Sequence, residues 1–173
     1  MPPAFKAVMP IPYVQLQQML DGGNPWGVLA YEKGTYLEHL SEGAIQALVE
    51  RIPDKTSPLS AVLMLRLDGA YSQVPEDDTA FGGTRSPRFG VFMLAISPDP
   101  EAVAADTAWV RRLWEALQPF AAGGAGYVNA QVELPNERVR AIYGDKYERL
   151  ARIKHAYDPD NVFHRNANII PAP

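Results

Sequence analysis

The sequence contains no cysteine, and this absence excludes several kinds of chemistry. A chain without thiols has no disulfide, no thiolate metal site, no cysteine nucleophile and no flavin attached through cysteine. An excess of positive charge is also missing, because the net charge is −4 and the pI is about 5.4. Nucleic acids and anionic membranes are bound mainly through basic surfaces, so neither is expected as a partner.

Long hydrophobic runs are missing as well. No apolar stretch approaches the ~18–20 residues that a membrane-spanning helix needs, and residues 1–10 carry prolines where a signal peptide has an apolar helix. We therefore expect a cytoplasmic protein. The 173 residues, of which 47% are hydrophobic, suit one domain with a sizeable core.

Patterns of strand and helix type share the chain, and they predict its fold class. A strand or a hairpin broken at Gly34 is expected over 26–36, and further strands are expected over 59–67, 89–97 and 127–134. Helices are expected over 12–21, 41–49, 98–121, 136–143 and 145–157. The apolar run over 59–67 favours a central strand covered on both faces. The last helix is expected to carry an apolar stripe of Tyr147, Leu150, Ile153 and Tyr157.

These elements do not repeat with the regular strand-helix period of a doubly wound parallel sheet. We therefore predict an α+β fold, in which helices pack on one face of an antiparallel sheet and a C-terminal helical segment and tail follow. The whole of residues 1–173 is expected to form a single domain.

The C-terminal residues carry the most specific motif. Asp158-Pro159-Asp160-Asn161 follows a predicted helix, and an asparagine-rich tail comes next. Four more motifs precede it, at 74–81, 114–120, 127–129 (Tyr-Val-Asn) and 138–144. In this order the motifs resemble the C-terminal region of FAD-linked oxidases of the berberine-bridge-enzyme type. The resemblance divides the domain into a partial substrate-binding sheet with helices, 1–134, and a C-terminal signature, 135–173.

The resemblance implies FAD as the cofactor and places Tyr127 and Asn129 beside the flavin ring. A phenol and an amide can hydrogen-bond the polar edge of the ring without adding charge to it. In the tail, Asn166 is the better candidate for reaching toward the flavin, and Asn168 is the weaker one. The alternative is structural: a tyrosine packed at the start of a strand and an asparagine that satisfies a turn.

The resemblance also identifies the positions where family members carry a catalytic base. A tyrosine often follows the Tyr-x-Asn motif, and here that position is Ala130. A glutamate follows a Gly-Gly pair in other members, and here that position is Gln73. Neither side chain accepts a proton, so Tyr71 is the remaining candidate, on the condition that its pKa is lowered.

Other sites have no support in the sequence. The three histidines lack the spacing of a metal site, so no metal is expected. The family's flavin-binding domain has no match in this chain, and residues 123–126 lack the G-x-G-x-x-G spacing of a phosphate loop. This chain alone is therefore not expected to bind FAD tightly or to be active.

Three functions follow as hypotheses. The first is the substrate-side portion or subunit of an FAD-dependent oxidoreductase, acting on a small molecule together with a flavin-domain partner chain. The second is a cofactor-free binding or scaffold protein that kept the fold and buries its bare sheet face in a homodimer. A third hypothesis is a cofactor-free enzyme that uses Tyr71 or Tyr127 as acid or base.

Overall fold

The computed structural model describes residues 8–19, 21–23, 25–122, 126–165 and 167–173. In this part of the chain, β1 (Leu29–Leu37), β2 (Ala61–Leu67) and β3 (Arg88–Ser97) form an antiparallel sheet in the order β1-β3-β2. The helices are α1 (Tyr13–Gln18), α2 (Glu42–Arg51), α3 (Ala70–Gln73), α4 (Pro100–Leu117), α5 (Asn136–Tyr143) and α6 (Lys146–Tyr157). The predicted α+β fold class is confirmed.

Helices α2 and α4 cover one face of the sheet and form the main core with it. From α4, Trp109, Leu113 and Leu117 are almost fully buried against the strands. Burial of this size drives folding because each large apolar side chain removed from water contributes about 1.5–3 kcal/mol. The helix-covered face of β3 supplies Val91 and Met93 to the same core.

Side-chain caps fix where these two helices begin. The Ser41 hydroxyl accepts a hydrogen bond of 3.2 Å from the backbone N–H of Ala44, at the position where the sequence predicts a cap for α2. The Asp99 carboxylate accepts one of 3.0 Å from the N–H of Glu101 at the start of α4. Each cap satisfies a backbone donor that has no partner within the helix.

The prediction of a covered central strand over 59–67 is wrong. In the described sheet β3 is central and β2 lies at an edge, with Leu63, Met64 and Leu65 exposed by 44%, 40% and 52%. A continuous apolar run shows that a strand can be buried on both faces, but it does not show which strand lies next to it. Of the two alternatives for 26–36, the strand is correct and the hairpin is not, because β1 continues through Gly34.

The prediction of a strand over 127–134 is wrong too. Val128–Ala130 forms a 3₁₀ helix, closed by a hydrogen bond of 2.9 Å from the N–H of Ala130 to the Tyr127 carbonyl. The segment then touches the sheet through one isolated antiparallel bridge between Lys33 and Gln131. The polar alternation of this segment therefore reflects a covering loop and not a paired strand.

The C-terminal residues form a second, smaller core. Val139, Tyr147 and Ala151 are buried there, and the tail returns to them. The N–H of Ala172 donates to the Ala151 carbonyl at 3.0 Å, and the Tyr147 hydroxyl accepts from the N–H of Ile170 at 3.1 Å. The tail is thus held on α6 by one backbone hydrogen bond and by one to the Tyr147 side chain.

The apolar stripe predicted for α6 is only partly correct. Tyr147 is buried, but Ile153 and Tyr157 are exposed by 45% and 87%, and Ala151 is buried in their place. The helix ends at the predicted Asp-Pro turn, where the Asn161 backbone adopts a φ of +52° and its N–H donates to the Asp158 carbonyl at 3.1 Å. A left-handed backbone of this kind is tolerated by asparagine better than by most residues.

The described ranges show neither a membrane-spanning helix nor a metal cluster. No helix there combines the length and the apolar character needed to cross a membrane. The same ranges contain no group of three or more His, Asp or Glu side chains placed to hold a metal ion.

Candidate functional site

The face of the sheet opposite α2 and α4 carries the candidate site, and we call it the open face. Side chains alternate along a strand, and the register shows which ones share this face. The open face consists of Ala30, Glu32, Gly34 and Tyr36 of β1, Arg88, Gly90, Phe92, Leu94 and Ile96 of β3, and Ala61, Leu63, Leu65 and Leu67 of β2. It is mostly apolar.

The segment that starts at Tyr127 covers part of the open face. The Tyr127 and Phe92 rings meet edge to face with centroids 6.4 Å apart, and Tyr127 stacks on Phe81 at the same distance. Ala130 packs against Gly34, where an added Cβ would lie 3.3 Å from the Ala130 methyl carbon. The absence of a side chain at Gly34 therefore allows this close approach.

Tyr127 and Asn129 form a polar pair at the surface of this cover. The Asn129 amide nitrogen donates a hydrogen bond of 3.0 Å to the Tyr127 hydroxyl oxygen. Both residues are exposed, Tyr127 by 37%. The hydroxyl proton of Tyr127 and the amide oxygen of Asn129 are left for a ligand, so the pair can present one donor and one acceptor to a flat polar edge.

Hydrogen bonds that involve β1 and α4 hold the segment that starts at Tyr127 in place. The Gly34 carbonyl accepts from the side-chain amide of Gln131 at 2.7 Å and from the indole N–H of Trp114 at 3.2 Å. Two residues after Gln131, Glu133 accepts from the Tyr31 hydroxyl at 2.9 Å and forms a salt bridge to Arg111 at 2.5 Å. The Tyr-Val-Asn motif is thereby positioned relative to β1 and α4.

Tyr71 lies under the loop that follows α3. Its hydroxyl donates to the Thr84 carbonyl at 2.7 Å, and its ring meets the Phe81 ring edge to face at 5.7 Å. Burial raises the pKa of Tyr71, and the positive charges of Arg88 and Arg85 offset this only in part. The direction is opposite to the one that a tyrosine base needs. A catalytic role for Tyr71 stays a prediction.

The two positions without a base differ in their surroundings. Gln73 ends α3 and is exposed, whereas Ala130 is buried against Gly34 with 3% exposure. The structure thus brings Tyr127, Asn129 and Ala130 together at the open face. Among the described residues, no hydrogen bond joins Gln73 to any of these three. Asn166 lies outside the described residues.

Tyr36 is the other phenol of the open face, and it is a structural one. It is 2% exposed, and burial raises its pKa to about 12. The Arg88 guanidinium lies 5.4 Å from the centre of its ring. Tyr36 therefore remains a neutral phenol at physiological pH and supports the sheet.

Sequence reasoning missed Glu32, whose side chain belongs to the open face. Its strand was predicted, and alternation along β1 places it on the same side as Gly34 and Tyr36. That alternation was the available signal. The sequence left open a hairpin broken at Gly34, and such a break would have interrupted that alternation.

Comparisons with known proteins agree with this fold and with the order of the motifs. Residues 126–170 match the family model "Berberine and berberine like". An FAD-linked oxidoreductase of Dictyostelium discoideum is 27% identical over 98% of this chain and 37% of its own length. An uncharacterized FAD-linked oxidoreductase of Bacillus subtilis is 31% identical over 76% of this chain and 29% of its own.

Solved structures share the fold. The structure of a berberine-bridge-enzyme-like protein, number 28 of Arabidopsis thaliana, superposes with a TM-score of 0.74 at 18% identity, over 85% of this chain and 34% of that one. A variant of berberine bridge enzyme gives a TM-score of 0.70 at 22% identity, over 84% and 34%. The chain thus shares the fold of these structures, and residues 126–170 match the berberine-like family model.

More specifically, the chain carries the berberine-like region of FAD-linked oxidoreductases. FAD is the cofactor of these relatives by name. The chain spans about a third of the length of the curated relatives it matches, with shares of 37%, 29% and 30%.

Proposed function

We propose that this chain is the substrate-side portion of an FAD-dependent oxidoreductase, with its open face turned toward the flavin. The observation that carries the proposal is the exposed Tyr127–Asn129 pair, which lies within the berberine-like region and beside an apolar sheet face. In this proposal a small-molecule substrate lies between the open face and the flavin ring. The flavin-binding part is supplied either by the same polypeptide or by a partner chain.

The residues present suit a flavin. FAD, when bound, supplies the acceptor for a hydride from the substrate. Tyr127 offers a hydroxyl donor and Asn129 an amide acceptor, and both are neutral. The rings of Phe81 and Phe92 beside Tyr127 form an apolar surface on which a flat ring or substrate can lie.

The test is an absorption titration of the purified protein with FAD, in the presence and absence of a flavin-binding domain from a relative. We expect a protein-bound flavin spectrum when that domain is present. Asn129→Ala should weaken flavin binding about tenfold, the loss of one hydrogen bond of ~1.4 kcal/mol. Tyr157→Phe is the matched control, because Tyr157 is 87% exposed and lies on α6. A complete lack of flavin binding under every condition would refute the proposal.

A second function has one observation in its favour. Leu63 and Leu65 on the open face are exposed by 44% and 52%, and neighbouring exposed leucines on a sheet favour a protein interface. The alternative is therefore a cofactor-free binding or scaffold protein that buries this face in a homodimer.

Sedimentation equilibrium distinguishes the two. The scaffold function requires a dimer that Leu65→Thr dissociates, whereas the flavin function requires bound FAD and no self-association through this face. Leu16→Thr serves as the control, because Leu16 is 49% exposed but lies on α1. A wild-type protein that is monomeric would exclude the homodimer.

A further inference from the structure

Glu32 occupies an unusual position for a carboxylate. Antiparallel pairing with β3 places it opposite Leu94. On its other side, the Lys33–Gln131 bridge and a hydrogen bond of 3.3 Å from the N–H of Val132 to the Glu32 carbonyl bring Val132 alongside. Residues paired in this way share a face. The Glu32 side chain therefore projects onto the open face between two apolar neighbours.

Glu32 is the one strand residue of the open face that carries a carboxyl group. Among the described residues, none donates a hydrogen bond to the Glu32 carboxylate and none forms a salt bridge with it. Glu133, in contrast, is engaged by both Tyr31 and Arg111. Of the two glutamates near the segment, Glu32 is the one whose carboxylate is left available for a ligand.

Loss of hydration raises the pKa of Glu32 above its ordinary value of 4.5, and this is the one cause of the shift. No charged neighbour contributes, since β3 presents Leu94 and the covering segment presents Ala130 and Val132 on this face. A desolvated carboxylate without a partner is a stronger base than a solvated one, and such groups are found preferentially at functional sites.

Glu32 also lies close along the strand to the residues that contact the Tyr127–Asn129 segment. Glu32 precedes Gly34 by two residues on the same face, which is a separation of roughly 6.8 Å along the strand. Ala130 packs on Gly34, and Phe92, which contacts Tyr127, pairs with Gly34 in the register. The carboxylate thus lies one pleat away from the residues that we propose face the flavin.

We propose that Glu32 is the proton acceptor of this open face and removes the hydroxyl proton of an alcohol substrate. The inference rests on the proposed function. In the balanced step, the substrate O–H proton moves to the carboxylate, the C–H hydrogen leaves as a hydride to the oxidised flavin, and a C=O bond forms. Leu94 and Val132 favour an alcohol with an apolar portion next to the carbinol carbon.

The first measurement needs no cofactor. Carbon-13 NMR of the protein, with glutamate labelled at the side-chain carboxyl carbon, follows each carboxylate through a pH titration. Glu32→Gln assigns the signal by its disappearance. We expect the Glu32 signal to titrate at higher pH than the average of the other glutamates. A Glu32 signal that titrates with that average would overturn the inference.

The second measurement uses the flavin-loaded protein and the rate of flavin bleaching by a series of primary alcohols. Glu32→Gln should lower that rate by about 10²–10⁴-fold, the range for removal of a general base, and should abolish the acidic limb of the pH profile. The flavin spectrum should be unchanged. Added formate should partly restore the rate of Glu32→Ala, a rescue that a purely structural role would not produce.

Glu38→Gln is the matched control, since Glu38 is exposed directly after β1. If flavin binds and Glu32→Gln is bleached at the wild-type rate, the inference fails and the proposed function stands. If no flavin binds, the proposed function fails and the inference falls with it. A rate loss in Glu38→Gln equal to that in Glu32→Gln would also count against a specific base.

Discussion

The N–H of Ser57 donates a hydrogen bond of 2.9 Å to the carboxylate of Asp106, a residue 49 positions further along the chain. The carboxylate also accepts from the N–H and the hydroxyl of Thr56, at 2.7 and 2.8 Å. Asp106 lies in α4 and has no exposed surface. It therefore anchors the loop before β2 to the helix that covers the sheet.

We expect Asp106→Ala to lower the free energy of unfolding by roughly 1–3 kcal/mol, because it leaves the buried N–H of Ser57 without a partner. Urea denaturation measures this change. Asp54→Ala, at an exposed aspartate before the same loop, is the control and should stay within about 0.5 kcal/mol of the wild type. Equal losses in both variants would show that the buried hydrogen bonds contribute nothing specific.

The same residue predicts a pH dependence of stability. Burial opposes ionisation of Asp106, but the hydrogen bonds from Thr56 and Ser57 help to outweigh it, and the pKa of Asp106 is lowered from its ordinary value of 3.8. Because the folded pKa is the lower one, the contribution is fully present above the unfolded value and is lost as pH falls through the folded one. Thermal unfolding should show that the wild type loses its stability advantage over Asp106→Asn below about pH 4.

Glu32 predicts a pH dependence of stability with the opposite sign. Its folded pKa is the higher one, so the ionised carboxylate destabilises the fold once pH rises above the unfolded value. Glu32→Gln should therefore be more stable than the wild type at neutral pH, and the difference should vanish in acid. Chemical denaturation at several pH values measures it, and Glu38→Gln should follow the wild type throughout.

Gly34 tests the contact between β1 and the Tyr127 segment. An added Cβ would lie 3.2 Å from the Phe92 ring and 3.3 Å from Ala130, so Gly34→Val should destabilise by about 1–3 kcal/mol through overpacking. Calorimetry gives the change in melting temperature. Gly22→Ala is the control, because no atom lies within 4 Å of its added Cβ. A neutral Gly34→Val would mean that the segment moves aside freely.

The Gly34 carbonyl also predicts a non-additive pair of mutations. It accepts from both Trp114 and Gln131, at 3.2 and 2.7 Å. Either Trp114→Phe or Gln131→Ala leaves one hydrogen bond, but the double mutant leaves none. The double mutant should therefore lose at least about 0.5 kcal/mol more than the sum of the single losses, in a double-mutant cycle by urea denaturation. Strict additivity would show that the two bonds act independently.

Local chemistry made part of the fold predictable. Ser41 identified the start of α2, and the Asp158-Pro159 pair identified the end of α6, because a cap and a proline act on their own neighbours. The position of β2 at the sheet edge depends on distant residues, and its apolar sequence did not encode it. Alternation around Tyr127 was misleading, because the turn from Tyr127 to Ala130 interrupts the extended backbone.

The candidate site, too, could be predicted from the sequence only in part. The family motif predicted Tyr127 and Asn129 as site residues, and a hydrogen bond joins the two side chains. Glu32 belongs to no motif and gains its character from Leu94 and Val132, which approach it only in the folded chain. Desolvation of that kind depends on tertiary packing and is invisible in the linear sequence.

Glu133 links the Tyr127 segment to α4, through Tyr31 and Arg111. Together with the bridge at Lys33, this gives the segment two attachment points, at residues 131 and 133. The first lies on β1, and the second reaches α4 through Arg111. A loop attached in this way behaves as an extension of the helix-and-sheet body and not as a flap. The segment therefore does not need to move for a ligand to enter the open face. A ligand can reach Tyr127 and Asn129 directly.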